Sequence, residues 1–261
     1  MKIGIRNGSL RTTHIETIPV AASLGYDGVE LDIGADYAET ALWQPDGRKK
    51  LLALAEKHDC EVASLCVGAL WQLSPANPDA EVRAEANQVI IRSAAIAAEL
   101  GARWILLPVS PGGEGVDHEE CVRRWVEEIA KVAAAAADND IYFCLENVGR
   151  GCGKSAGDLM RLIDGIGSPH VGAYYDIGNA IAFENNPTDE IRQLGDAMHI
   201  VHVKDHSDRL GTGDVPIAEC MQVLQEAGYD DYLVLETSPT DAPREAGSFN
   251  LGFLRGMLAE M

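Results

Sequence analysis

A short apolar run ending abruptly in a carboxylate or an imidazole recurs four times in the second half of the chain, over residues 141–146, 171–176, 200–202 and 233–236. The polar ends, Glu146, Asp176, His202 and Glu236, are 30, 26 and 34 residues apart, about one strand plus one returning helix each time. Parallel strands of this kind gather their C-terminal residues at one mouth of a sheet or barrel. Three carboxylates and an imidazole brought together there repel one another and lose hydration unless a cation sits among them. The spacing therefore predicts a metal site at the top of a barrel, held by those four residues.

The first half of the chain supplies the other half of such a barrel. Strand signals over 2–6, 28–32, 60–67 and 104–108 alternate with helical patterns over 12–24, 48–58, 79–100 and 118–138. Further helices are expected over 155–166, 187–194, 216–227 and 246–261, with a loop over 204–215 after the seventh strand at 198–203. Eight units of about 33 residues with no break in composition predict a single (β/α)₈ TIM barrel domain over 1–261. An open doubly wound sheet is the alternative, but no G-x-G-x-x-G follows the first strand.

Charge narrows the function classes. With 21 Lys+Arg against 41 Asp+Glu the net charge is −20, which argues against a nucleic acid as partner. No apolar run approaches the roughly 18 residues of a membrane span, and the N-terminus reads as a strand start and not a signal peptide, so a cytoplasmic location is expected. The six cysteines form no C-x-x-C pair and read as buried small hydrophobes, Cys152 standing apart by its loop position.

A three-oxygen, one-nitrogen donor set suits Mn²⁺, Co²⁺ or Mg²⁺ at least as well as Zn²⁺, whose structural sites prefer thiolates and more histidine. Each residue alone is more often a helix cap, an ion-pair partner or a solvated strand end; four in consecutive strands argue as a set. Lys204 shares a strand face with His202, so it either binds a sugar or phosphate oxygen or pairs with Asp176 or Asp205. His206 lies in the loop just past the strand and is a candidate substrate contact. Strand parity places His199 on the outer face, against a helix. Glu30, near the end of the second strand, either supports the site or hydrogen-bonds within the mouth. Trp71 either walls a bound sugar or packs under the Pro75 loop. Gly211-Thr212-Gly213 stands where barrels often cradle phosphate, and equally reads as a plain turn.

Glu146-Asn147, Tyr175-Asp176-Ile177-Gly178-Asn179, His202-Val203-Lys204-Asp205, Leu210-Gly211-Thr212-Gly213-Asp214-Val215 and Val234-Leu235-Glu236 together resemble the xylose isomerase-like barrel superfamily. The closest likeness is to its sugar-phosphate isomerase/epimerase branch, which holds ketose and ketopentose-phosphate 3-epimerases. The resemblance implies a divalent-metal-dependent isomerase or epimerase, with Glu146, Asp176, His202 and Glu236 as ligands and Glu146 and Glu236 doubling as the acid/base pair. Two glutamates on opposite faces of a ketose can remove a proton on one side and return it on the other through a metal-stabilised enediolate, inverting the centre. Work through one face alone would give aldose–ketose isomerisation instead. The activity implied is ketose 3-epimerisation in carbohydrate metabolism, with Mn²⁺ the foremost metal and Co²⁺, Mg²⁺ or Zn²⁺ the others. Asn179 joins the candidate substrate contacts, and Arg209 stands one residue off the place where related epimerases put a substrate-binding arginine. The implied partners are a sugar or sugar phosphate and a second copy of the chain, since family members assemble as dimers or tetramers.

Two departures bear on the substrate. Free-ketose 3-epimerases and the apurinic-site endonucleases of the superfamily show Asp-x-x-His after strand six, where this chain has Asp176-Ile177-Gly178-Asn179; a second glutamate that the epimerases often carry is Cys152 here. Both point away from free hexuloses and towards phosphorylated or unusual sugars. A dehydratase of a keto-cyclitol or keto-sugar is the alternative within enzymes, because an enediolate with a β-leaving group can lose water. A metal-dependent nuclease on damaged DNA is opposed by the charge and by Asn179, and a non-catalytic sugar-binding barrel by four intact ligands.

Overall fold

Runs such as Phe143-Cys144-Leu145 are apolar on both faces, as a strand must be when helices cover one side and a barrel interior the other. In the computed structural model, which describes residues 1–238 and 240–261, eight such strands close into a parallel barrel in chain order. They are β1 (Lys2–Arg6), β2 (Gly28–Asp32), β3 (Glu61–Cys66), β4 (Trp104–Pro108), β5 (Tyr142–Glu146), β6 (Val171–Asp176), β7 (Met198–Val203) and β8 (Tyr232–Leu235). The helices around them are α1 (Asn7–Leu10), α2 (His14–Leu24), α3 (Pro45–His58), α4 (Ala80–Leu100), α5 (His118–Asp138), α6 (Ala156–Ile166), α7 (Ile177–Ala182), α8 (Pro187–Leu194), α9 (Ile217–Glu226) and α10 (Pro243–Glu260). The (β/α)₈ barrel read from the sequence is the fold.

Local chemistry sets the element ends. The Ser155 hydroxyl accepts from the Asp158 N–H and the Asp158 carboxylate reaches back, a reciprocal cap that starts α6. Gly25 stops α2 with φ +99°, a left-handed conformation that glycine adopts without a Cβ clash. The third helix begins at Pro45, three residues before the periodicity suggests, because proline is well placed at a first helical position. Two short helices, α1 and α7, follow β1 and β6 directly; neither is long enough to show a period in the sequence.

Side chains alternate between two cores. Outward residues such as Phe143, Leu145, Val201 and Leu233 pack beneath the helices, while Trp104, Leu106, Cys144, Tyr174, Ile200, Tyr232 and Val234 fill the barrel below its polar mouth. The parity of His199 breaks this rule. The β6–β7 register slips between Ala173 and Tyr174, so that Ala173 faces Met198 but Tyr174 faces Ile200, and the extra residue turns His199 inward. Its ring lies 4.5 Å from that of Tyr142, over Gly172, at the closed end of the barrel, so the expected helix contact is corrected. All six cysteines are free and buried, Cys152 included. Among the described residues no helix is long and apolar enough to cross a membrane.

Candidate active site

The ends of β5, β6 and β7 and the first residue past β8 bring Glu146, Asp176, His202 and Glu236 together, with one potential ligand atom from each within 4.8 Å of the others. His202 is fully buried, and its Nδ1 lies 3.2 Å from Glu146 Oε1, 3.6 Å from Glu236 Oε2 and 3.8 Å from Asp176 Oδ2. The other ring nitrogen, Nε2, is 3.0 Å from Oε1 of Glu30. Glu30 is itself buried inside the barrel, accepting from Ser64 Oγ at 2.7 Å and Tyr174 Oη at 2.8 Å. Burial by itself would raise the Glu30 pKa, but the charge and hydrogen bond of His202 pull it down to about 2. Burial would likewise depress His202, yet Glu30 and Glu146 outweigh it and raise the imidazole to about 9. A carboxylate that receives Nε2–H leaves Nδ1 as the nitrogen for a cation. Glu30 thus supports the site from below, the first of the two roles that the sequence offers, and is sealed under His202.

The Asp176 carboxylate is locked by its own loop. Asp176 caps α7, its Oδ1 accepting from the N–H groups of Gly178 and Asn179 at 2.8 Å each. Asn147 welds β5 to β6, donating to the Asp176 carbonyl at 2.9 Å and accepting from the Asp176 N–H at 2.7 Å. The Asn179 amide donates to the Asn147 carbonyl at 2.8 Å, so that half-buried side chain lines the cavity while serving the scaffold. A Cβ on Gly178 would stand 2.5 Å from Lys204 Cγ, which is why the Asp-x-Gly-Asn form lets Lys204 lie across the turn. Lys204 Nζ reaches Asp176 Oδ2 at 2.6 Å and Glu236 Oε2 at 2.8 Å, the Asp176 ion pair that the sequence offers as one of its two roles.

Above the cluster opens a cavity of about 620 Å³ whose lining includes Arg6, Trp71, Glu146, Asn179, Lys204 and Glu236. A second hollow of about 480 Å³ shares Arg6, Lys204 and Glu236 and extends past His206. His206 is turned aside, with Nδ1 2.6 Å from Asp214 and Nε2 3.2 Å from the Gly178 carbonyl. Arg209 is placed elsewhere: its exposed guanidinium stacks 5.1 Å from the ring of Phe249, an apolar partner on α10, and it lines neither hollow. The Gly211-Thr212-Gly213 turn has no free cradle for phosphate, because the Gly211 and Gly213 N–H groups both donate to the buried Asp205 carboxylate, at 3.0 and 2.9 Å.

Sequence reasoning missed two residues here, Asn147 and Arg6. Arg6 Nε donates to Asp32 Oδ1 at 2.6 Å and its Nη1 pairs with Glu236 Oε1. The alternation of Lys2, Gly4 and Arg6 along β1 is the signal that places it inside.

The donor set fits a divalent cation. Asp176 Oδ2 is buried with no hydrogen-bond partner among the described residues, its approach to Lys204 being an ion pair outside hydrogen-bond geometry. An orphaned buried carboxylate oxygen, facing two glutamates and an imidazole nitrogen, is what a metal would satisfy.

The xylose isomerase-like TIM barrel family model matches residues 18–255, and the chain belongs to that family. L-Ribulose-5-phosphate 3-epimerase UlaE of Salmonella paratyphi A is 23% identical over 235 residues, 87% of this chain and 83% of that protein. Among solved structures, an L-ribulose 3-epimerase superposes with a TM-score of 0.87 at 19% identity, covering 99% of this chain and 95% of the other. The 3-keto-D-glucoside 4-epimerase YcjR of E. coli superposes with a TM-score of 0.84 at 20% identity, over 98% and 99% of the two chains. At those identities the superpositions speak to the fold.

Proposed function

We propose that this protein is a divalent-metal-dependent ketose 3-epimerase acting on a sugar or sugar phosphate, with Mn²⁺ the foremost metal. Its isomerase class follows from family membership and from relatives named as epimerases. The finer reading is carried by one observation: Glu146 and Glu236 stand at the two ends of a four-strand arc, β5 to β8, with Asp176 and His202 between them. A ketose in the cavity above that arc has a glutamate at either side. One takes the proton from C3; the other delivers a proton to the opposite face, and the centre inverts. Glu146, Asp176, His202 and Glu236 would hold a divalent cation, which would supply a Lewis acid for the carbonyl and neighbouring hydroxyl oxygens of the sugar. Lys204 orients Glu236, while Trp71, 45% exposed at the rim, offers an apolar face to the sugar. The net charge of −20 favours such a substrate over nucleic acid.

Proton NMR of ketoses and ketose phosphates in D₂O, with Mn²⁺ and with or without EDTA, tests this. Deuterium at C3 that EDTA abolishes is expected, together with loss of turnover but not of fold in Glu146→Gln and Glu236→Gln. Exchange at C1 with aldose formation would make the protein an isomerase, and a new vinylic signal a dehydratase. Full activity in both glutamine variants would sink the two-glutamate mechanism.

A further inference from the structure

We infer that Arg6 is a positioning residue that serves one of the two proton-transferring glutamates and not the other: it fixes the outward oxygen of Glu236. The inference rests on the two-glutamate reading above and adds an asymmetry to it. The two oxygens of Glu236 are divided between different tasks. Oε2 faces the ligand cluster, 3.6 Å from His202 Nδ1 and 2.8 Å from Lys204 Nζ. Oε1 faces Arg6, whose Nη1 pairs with it. Arg6 is in turn anchored behind, with Nε on Asp32 Oδ1 at 2.6 Å. Asp32 is immobilised on both sides of its peptide, its N–H donating to Asn7 Oδ1 at 2.7 Å and its carbonyl lying 2.7 Å from His14 Nε2. A planar guanidinium held at two of its edges has little freedom left, so it sets the rotation of the carboxylate it carries.

Glu146 has no such arrangement. Among the described residues it has no Arg or Lys partner, and burial with His202 Nδ1 at 3.2 Å holds it in place. The Glu236 side chain is 19% exposed against 7% for Glu146, and sits just beyond the last residue of β8. The less enclosed glutamate is the one with an arginine clamp.

This asymmetry is measurable because each epimer presents its C3–H to a different glutamate. In Arg6→Met, the epimer whose C3–H faces Glu146 should wash in deuterium within about three-fold of the wild-type rate while its inversion falls about 100-fold, the scale of loss from a misplaced catalytic group. From the opposite epimer both wash-in and inversion should fall about 100-fold. Arg6→Lys, which keeps a cation but loses the fork, should recover roughly ten-fold of that loss. Mn²⁺ affinity, read by electron paramagnetic resonance of the free ion, should stay within about three-fold, because Arg6 does not hold the oxygen that faces the cluster. Equal loss of wash-in from both epimers, or wild-type rates in Arg6→Met, would overturn the assignment. So would a fall in Mn²⁺ affinity beyond about 30-fold, which would make Arg6 a scaffold for the ligands. If Arg6→Met does not fold, Arg6→Gln carries the same asymmetric test. A wild-type protein that exchanges no C3 deuterium with any ketose refutes the function reading itself and the Arg6 inference with it, and is seen before any variant is made.

Discussion

Replacing Glu30 by glutamine should disable the metal site while leaving the barrel folded. The carboxylate is completely buried and takes three hydrogen bonds, from Ser64 Oγ, Tyr174 Oη and His202 Nε2. Leucine there would strand all three donors at about 1–3 kcal/mol each, a loss comparable with the whole stability of a domain. Glutamine is gentler and more informative. Its carbonyl can accept from both hydroxyls, but its NH₂ then meets Nε2–H of His202, and the clash is relieved by moving the ring proton to Nδ1. That proton would point at the three carboxylates, where a cation would bind. Turning the amide over restores the Nε2 bond only by depriving both hydroxyl protons of their acceptor; Ser64 and Tyr174 lie 3.5 Å apart, so one can at best donate to the other. The expected cost is therefore a 10- to 100-fold loss of Mn²⁺ affinity, about 1.4–2.7 kcal/mol, typical of losing a group that orients a ligand. The metal-free fold should lose about 3 kcal/mol, because a buried ion pair loses one partner, lowering its melting midpoint by about 6–12 °C. Paramagnetic resonance of free Mn²⁺ measures the first and thermal circular dichroism the second. A Glu30→Gln variant that binds Mn²⁺ as tightly as wild type would refute the role given to Glu30.

Three further outcomes follow from the site. Asn147→Ala strands the Asp176 N–H and carbonyl in a buried place, so urea unfolding should show a loss of about 2–4 kcal/mol. In the metal-free protein His202 is raised to about 9, so at neutral pH the entering metal must displace a proton; calorimetry in buffers of different ionisation enthalpy should find about one proton released, and affinity rising with pH up to about 9. The sign for stability is opposite: a raised histidine stabilises the metal-free fold fully below its ordinary value of 6.5, and that contribution is lost as pH rises through about 9. Glu30, lowered to about 2, contributes above its ordinary 4.5 and fails only as pH falls towards about 2. A metal-free melting midpoint that climbed between pH 6.5 and 9 would contradict this.

The convergence of Glu146, Asp176, His202 and Glu236 was legible because it needs only two local facts, a strand period of two and a polar residue at each strand's end. Arg6 obeys the same parity, but a lone basic residue at a strand end acquires meaning only through its partners, Asp32 at 26 residues' remove and Glu236 at 230. His199 was misplaced because a one-residue bulge flips every parity argument beyond it, and nothing in 198–200 announces a bulge. The position of Arg209 is decided by Phe249, forty residues on in another element. The glycine turn was within reach of the sequence: Asp205 stands six and eight residues before Gly211 and Gly213, close enough for a carboxylate to fill the turn it precedes.

Charge at the mouth says how a phosphorylated substrate must lie. Glu30, Asp32, Glu146, Asp176 and Glu236 face Arg6, Lys204 and His202, leaving two negative charges uncompensated even with the imidazole protonated. A divalent ion would close that gap but expel the His202 proton, so the loaded site would stay slightly negative. A ketose brings dipoles to such a cluster without penalty; a phosphate dianion beside it would be repelled. The phosphate of such a substrate would therefore be expected to point away, towards Arg150, an exposed cavity-lining cation with no ion-pair partner among the described residues. A preference for ketose phosphates would then turn on Arg150. Arg150→Ala should raise KM for a phosphorylated ketose about ten-fold, one charge-assisted contact, and leave KM for the free ketose and kcat for both unchanged. An equal rise for both sugars would mean that Arg150 holds the ketose itself, and no rise for either would place the phosphate elsewhere.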